Sequence, residues 1–414
     1  MHIAELTGSL APEQYGSRKR RRATDLAVNK ALSYDIIRQL KRPAAVCSND
    51  AKSCYDLIGH TPTSLAMQRM GVPRSVVDCL FTTLQNAFHY VRTGYGDSSN
   101  YYGGPCWLLP IHGIGQGNGA GPAIWAVVST PLLNVLRQLG FGFSYIAPIS
   151  GTLTNFCGFA FVDDTDLIQL LHSNSTAEEV RAKLQQAIDI WEGLLSSTAG
   201  AIVPEKTYWY LIDFCWQGGD WRYRSIAECP GSLTIADISG ERKTLKRVEV
   251  DIAQETLGIF MAPSGSVEGE IMKLQSVINT WVQKLSAGKL SRQDMWTVLN
   301  STICRTLSYP LPALNLTRQQ WESLLKPLLK FALPSLGVCR HYPRSLVFAP
   351  EGMFGIGLPH LYTCQEIARL KDMILHTSNN TTTGALYRSS LELLHIELGS
   401  FLPLSTMPYD KWAI

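Results

Sequence analysis

No CxxC pair occurs anywhere in the 414 residues, and the ten cysteines are scattered singly, so the spacing of a zinc knuckle is excluded. Unpaired, dispersed cysteines suit reduced thiols inside a cell. No run approaches the ~18 apolar residues of a membrane-spanning helix. The opening stretch MHIAELTGSL lacks both the basic and the apolar region of a secretory signal. The expectation is an intracellular protein of nucleus or cytoplasm, not secreted and with no membrane or zinc among its partners. Internal repeats and long low-complexity tracts are also missing. Charge is sparse at 17% against 45% hydrophobic residues, so the chain is globular and long enough for two or three domains.

The net charge of +3 hides an asymmetry. Residues 273–344 hold ten Lys or Arg against two acids, an excess of eight, and the remainder carries −5. A second basic run, RKRRR, spans residues 18–22. Basic faces on a nearly neutral chain suit an anionic polymer bound at chosen surfaces. A solvated helical surface accounts for the charge equally well.

Hydrophobic spacing predicts a helix over 24–41, a short strand from residue 43, and a helix opening at Thr61-Pro62. A longer helix has the stripe Val77, Leu80, Phe81, Leu84, Phe88 and Val91, and hairpin strands follow over 94–110. The glycine-rich loop HGIGQGNGAG runs into a helix starting at Pro122 and kinked at Pro131. A hairpin is expected over 156–171, then a helix with Ser175 and Glu178 as its capping box and Val180, Leu184, Ile188, Trp191 and Leu195 inward. Strands are expected over 201–212 and 255–263, helices from 268 onward, and a loop over 378–384. Strands interleaved with helices on one sheet face suit an α+β core.

The informative feature is CGFAFVDDTDLIQLL, residues 157–171. Alternate strand residues point to opposite faces, so adjacent Asp163 and Asp164 reach one site only at a strand end or turn tip. By itself the pair is the polar tip of a surface turn. Side-by-side carboxylates raise one another's pKa, and a divalent cation with oxygen preference reverses that cost. A third carboxylate is available at Asp50, which ends the apolar strand AAVCSN.

The combination resembles the palm of reverse transcriptases, most closely those of non-LTR (LINE-like) retrotransposons. DAKSCYD is similar to the first catalytic motif, GIGQGNGAGP to the glycine-rich nucleotide loop, and FVDD to the metal-binding hairpin. VPEKTYWYL resembles the lysine motif that follows, and TLGIFMAP the Leu-Gly primer grip. EQYGSRKRRRATDLAV resembles the QxGFR stretch, with Ser17 in place of Phe, and GMFGIGLPHL is like a late glycine signature.

The resemblance implies a right-hand palm, an antiparallel sheet with helices on one face, followed by a helical thumb-like subdomain. Residues 1–42 would be a remnant of fingers and lead-in helix, 43–263 the palm, 264–345 the basic thumb and 346–414 a C-terminal extension. It implies two Mg²⁺ ions, with Mn²⁺ as a substitute, held by Asp50, Asp163 and Asp164, with the carbonyl of Ala51 as a further ligand. The partners would be an RNA template, a DNA primer and dNTPs. Tyr55 would lie under the incoming sugar and exclude a 2′-hydroxyl, Gln116 and Gly117 would contact the nucleotide, and Lys206 would protonate the leaving pyrophosphate. Leu257 and Gly258 would position the primer end. Arg18, Lys19, Arg20, Lys284, Lys289 and Arg292 would follow the phosphate backbone. Core packing for Tyr55, a surface role for Lys206 and a nuclear-localisation role for 18–22 remain open.

Only twelve residues precede Glu13, and regions for endonuclease, RNase H or a C-terminal cysteine cluster are not seen, so a truncated element is expected. Three readings follow: an RNA-directed DNA polymerase, an inactive remnant that still binds nucleic acid, and an unrelated Mg²⁺-dependent phosphohydrolase.

Overall fold

The computed structural model describes residues 1–52, 54–105, 112–237, 240–288, 290–400 and 406. The fold class is α+β. In chain order, the elements that build the first part are helices α1 (His2–Leu6) and α2 (Ala23–Leu40), strand β1 (Ala44–Asp50), and helices α3 (Cys54–Leu57), α4 (His60–Arg69) and α5 (Arg74–Asn86). A hairpin of β2 (Phe88–Thr93) and β3 (Gly96–Gly103) precedes α6 (Gly121–Gln138). Strands β4 (Phe143–Ile146), β5 (Leu153–Phe156), β6 (Gly158–Phe161) and β7 (Asp164–Leu170) follow, then α7 (Ala177–Ser197) and β8 (Tyr208–Ile212).

The seven-stranded sheet has β1 near its centre, antiparallel to β7 on one side and β8 on the other, and β6 folds back on β7. The small apolar residues of AAVC explain that place, because the first four positions of β1 are fully buried. Helix α7 presents Val180, Leu184, Ile188, Trp191 and Leu195 to the core that holds Cys47, Leu167 and Trp209.

Several boundaries differ from the sequence expectation. Helix α4 starts at His60 with Gly59 before it, so Thr61-Pro62 lies inside its first turn, where a missing N–H costs nothing. Helix α5 stops at Asn86, and Phe88 and Val91 leave its stripe for the exposed strand β2. The capping box of α7 is Thr176 with Glu179, one residue later than Ser175 with Glu178, which makes Ala177 the first helical residue and buries it in the core. Helix α6 continues through Pro131 to Gln138. Only Tyr208–Ile212 of the span 201–212 forms a strand, because Pro204 starts a 3-10 turn over Pro204–Lys206. The span 255–263 is a hairpin, Gln254–Thr256 with Ile259–Met261. Helix Thr382–Glu397 begins inside the expected loop, capped by Thr381.

The chain divides into two compact units. The first comprises Met1–Leu26, Lys41–Ile146 and Leu153–Glu249, and it contains the sheet. The second comprises Ala27–Leu40, Ala147–Thr152 and Val250–Ile414, and its core gathers Leu274, Ile278, Ile303, Trp321 and Leu328 from successive helices. Among the described residues no helix is long and apolar enough to cross a membrane.

The hairpin β6–β7 depends on Gly158, where a Cβ would run into the backbone carbonyl of Asp166 on the paired strand. Gly158→Ala is therefore expected to destabilise the protein by about 1–3 kcal/mol. Urea unfolding measures this, and an unchanged midpoint contradicts the close strand contact.

Candidate active site

The antiparallel register of β1 and β7 pairs Asp50 with Asp164, and the amide of Ala51 donates to the carbonyl of Asp163 (3.3 Å). Three carboxylate residues from two distant segments thus stand at one end of the sheet. Asp163 is half-buried and Asp164 exposed. The turn that delivers them passes through Val162 at φ +58°, a left-handed conformation that a β-branched residue rarely adopts.

That turn is held from beneath. The Gln14 Oε1 accepts hydrogen bonds from the amides of Val162 (3.0 Å) and Gly16 (2.9 Å). The Gln14 Nε2 donates to the carbonyl of Val162 (3.4 Å) and to Ser129 Oγ (3.2 Å), and the Trp125 indole N–H also donates to the Val162 carbonyl. Gly16 must be glycine, since a Cβ there would sit 2.6 Å from the Val162 side chain. Residues 13–15 reach this position by pairing with β6, Ala160 N donating to Glu13 O (3.0 Å) and Tyr15 N to Ala160 O (2.7 Å). The Glu13 carboxylate is fully buried and paired with Arg137 (3.0 Å).

On the other side of β1, Val203 N donates to the Asp50 carbonyl (3.1 Å), which sets the 3-10 turn Pro204–Lys206 beside the strand end. Lys206 Nζ then reaches Asp50 Oδ2 at 2.7 Å. The sequence places Lys206 on a strand end; the structure puts it on that turn. The preceding Asn49 is fixed by the Trp191 indole N–H (3.1 Å).

Tyr55, half-buried on α3, packs against the core and against Gly121 at the start of α6. The glycine loop is tied to α3, with Ile114 N on the Tyr55 carbonyl (2.7 Å) and Gln116 N on Asp56 Oδ1 (3.0 Å). Gly113, at φ +80°, leaves no room for a Cβ beside the carbonyls of Tyr55 and Asp56. Gln116 and Gly117 are exposed, with open space around Gly117.

Burial raises the Asp163 carboxyl above its ordinary value, and the Asp50 charge raises it further while Lys206 partly offsets this. Burial, the neighbouring Cys54 and Asp163 push the Tyr55 hydroxyl up to about 12. The hydrogen bond and charge of Asp50 raise Lys206, which stays an ammonium at neutral pH. The site is therefore charged, crowded with carboxylates and partly withdrawn from water. Such oxygen donors fit a hard divalent cation, whose charge would relieve the strain at Asp163. Among the described residues no three His, Cys, Asp or Glu side chains surround a common point, and Lys206 holds the Asp50 carboxylate.

The second unit holds the turn Leu257–Gly258, at φ +49° and +82°. Its carbonyls accept from Tyr309 (2.7 Å at Leu257) and from Lys273 at Gly258, and buried Lys30 donates to Thr256 Oγ1 (2.9 Å).

The basic residues divide. Arg18 is buried, with its guanidinium on Glu5 (2.8 Å) and on the carbonyls of Ala11 and Gln14, so it is turned away from any phosphate. Lys19 and Arg20 are exposed. Lys284 and Arg292 are exposed in the second unit, and Lys289 lies outside the described residues.

No family model matches the chain, and no curated protein is similar to it. Solved structures with some likeness include telomerases. Telomerase from Candida albicans in complex with a TWJ fragment of telomeric RNA is 10% identical, with 94% of this chain and 57% of that chain covered and a TM-score of 0.37. Apo telomerase from Candida tropicalis is 11% identical, with 94% and 58% covered and a TM-score of 0.36. A C-terminally truncated apo form from Candida tropicalis is 13% identical, with 58% and 43% covered and a TM-score of 0.36. The chain spans about half the length of these telomerase chains.

Sequence reasoning missed the supports: Trp125 and Ser129 under the turn, Trp191 behind Asn49, and Lys30, Lys273 and Tyr309 around Leu257–Gly258. The QxG spacing at Gln14 and Gly16 was the available signal for the first group.

Asp163→Asn is expected to raise the melting temperature at pH 7. The charged form of Asp163 is disfavoured in the fold, so its penalty is full above the raised folded pKa. The gain therefore fades as pH falls toward the ordinary 3.8. Thermal melts of both proteins from pH 3 to 8 check the sign, and a variant less stable than the parent at pH 7 contradicts it.

Proposed function

We propose that this chain is an RNA-directed DNA polymerase of a non-LTR (LINE-like) retroelement, extending a primer 3′-hydroxyl with dNTPs on an RNA template. One observation carries the reading: the β1–β7 register brings Asp50 opposite Asp164, with Asp163 in the adjoining turn. Asp50, Asp163, Asp164 and the Ala51 carbonyl would hold Mg²⁺, or Mn²⁺ in its place. When bound, these ions supply charge neutralisation at the triphosphate and a lowered pKa at the attacking hydroxyl.

The remaining work belongs to side chains. The Tyr55 ring, backed by Gly121, walls the sugar position and leaves no room for a 2′-hydroxyl. Gln116 and Gly117 approach the nucleotide from the exposed loop, where the lack of a side chain at Gly117 admits close backbone contact. Lys206, a long and largely exposed side chain, leaves Asp50 and holds its proton toward the leaving pyrophosphate. Leu257 and Gly258 position the primer end, and Lys19, Arg20, Lys284, Lys289 and Arg292 follow phosphates.

The Lys206–Asp50 ion pair favours a second reading, a remnant that binds nucleic acid without polymerising, because the lysine occupies one carboxylate that a metal needs.

Primer extension on an RNA template separates the two. Mg²⁺-dependent incorporation of dNTPs, reduced at least about a hundredfold by Asp163→Ala, supports the polymerase. Salt-sensitive RNA binding with no extension supports the remnant. Independently of activity, Mg²⁺ is expected to raise the melting temperature of the parent and not of Asp163→Asn. An equal response in both removes the metal assignment.

A further inference from the structure

The late glycine stretch GMFGIGLPHL has no part in the site above, yet the second unit uses it to build a cavity. The amides of Ile356, Gly357 and Leu358 donate to the carbonyls of Leu346 (2.8 Å), Ala349 (2.9 Å) and Val347 (3.1 Å). Gly355 permits this, since a Cβ there would run into the Ala349 carbonyl. The stretch is thereby fastened along helix Arg344–Phe348, and its end, Leu358–His360, closes one wall of a cavity of about 870 Å³.

The lining has two chemical ends. Arg318, Lys326 and Arg344 supply three cations against a single acid, Glu322, which is paired with Arg318 (2.8 Å). Among the described residues neither Lys326 nor Arg344 has a carboxylate partner. Phe348, His360 and Tyr362 supply rings, with Phe348 and His360 edge-to-face at 4.8 Å. The His360 Nδ1 is engaged with Thr363 Oγ1 (2.7 Å), and burial with the Arg318 charge lowers its pKa, so the ring is neutral at pH 7. Leucines 325, 329 and 358 make the floor apolar.

Unneutralised cations beside flat rings over an apolar floor match a ligand with an anionic group on a planar aromatic body. The volume falls in the ordinary range for such ligands, about 300–1,000 Å³. We propose that this cavity binds a nucleotide, its base against Phe348 and His360 and its phosphate at Lys326 and Arg344. A free nucleotide and one residue of a single strand share this chemistry. The inference rests on the nucleic-acid reading above only for the second source.

Calorimetric titration of the full chain in EDTA, with AMP and with ribose 5-phosphate as probes, tests it. AMP is expected to bind one site, at least about tenfold more tightly than ribose 5-phosphate, as base stacking requires. Phe348→Leu should weaken AMP by about tenfold and leave ribose 5-phosphate unchanged. Lys326→Ala combined with Arg344→Ala, both exposed and so safe for folding, should weaken both probes. No AMP binding, equal binding of the two probes, or binding indifferent to the double substitution overturns the proposal. So does displacement of AMP by an acidic peptide as effective as AMP itself. Competition by a single-stranded RNA decamer assigns the ligand to a strand, and its absence assigns it to a free nucleotide. Primer extension can fail while AMP binding stands, and the reverse, so the two proposals are judged separately.

Discussion

The carboxamide of Gln14 grips both the N–H and the carbonyl of Val162, and the geometry of the site depends on that grip. A β-branched residue in a left-handed conformation is disfavoured by about 1–3 kcal/mol, so the turn would relax if it were left alone. Part-buried hydrogen bonds, each worth about 1 kcal/mol net, come from Gln14 and Trp125 and offset that strain. They act only because residues 13–15 pair with β6 and because Gly16 carries no side chain. An N-terminal segment, a helix more than a hundred residues later and a hairpin therefore converge on one peptide unit. The two aspartates that follow it inherit their direction from that unit.

What the turn delivers is electrostatically unfavourable. Asp163 is withdrawn from water near Asp50, and backbone hydrogen bonds with the Lys206 charge compensate only in part. A fold selected for stability alone would place an amide at position 163. On the proposed function, the carboxylate there is stability given up for chemistry, a trade that functional sites make repeatedly. Lys206 fits the same logic. Lying against Asp50, it offsets one of the three carboxylates, and its side chain stays long and mostly exposed.

Much of this was legible in sequence. The stripe of α7 is inward at all five expected positions, because 3.6-residue periodicity survives any detail of packing. A strand end for Asp50 and a turn tip for the aspartate pair were readable from strand alternation, but their meeting at one site was what the reverse-transcriptase resemblance implied. The errors have physical causes. Ser175 and Thr176 both satisfy capping-box spacing, and only burial of Ala177 decides between them. Phe88 continues a helical stripe but is taken by a hairpin that the glycines at 94 and 96 make possible. Supports such as Trp125 and Tyr309 were invisible, since no local pattern reveals a long-range hydrogen bond.

Charge counts misled in a related way. RKRRR contains five cations, but Arg18 is buried on Glu5, Arg21 stacks over Tyr15 and the exposed Arg22 is paired with Asp25, which leaves Lys19 and Arg20 as the exposed cations outside these contacts. Part of that run is scaffold: Arg18 binds the carbonyl of Gln14, the residue that holds Val162. In the second unit, Lys30 and Lys273 likewise spend their charge on the Leu257–Gly258 hairpin. A basic residue that closes a turn is not available to a phosphate. In the second unit Lys326 and Arg344, with no carboxylate partner among the described residues, line the cavity beside Phe348 and His360, so position rather than number is what singles them out.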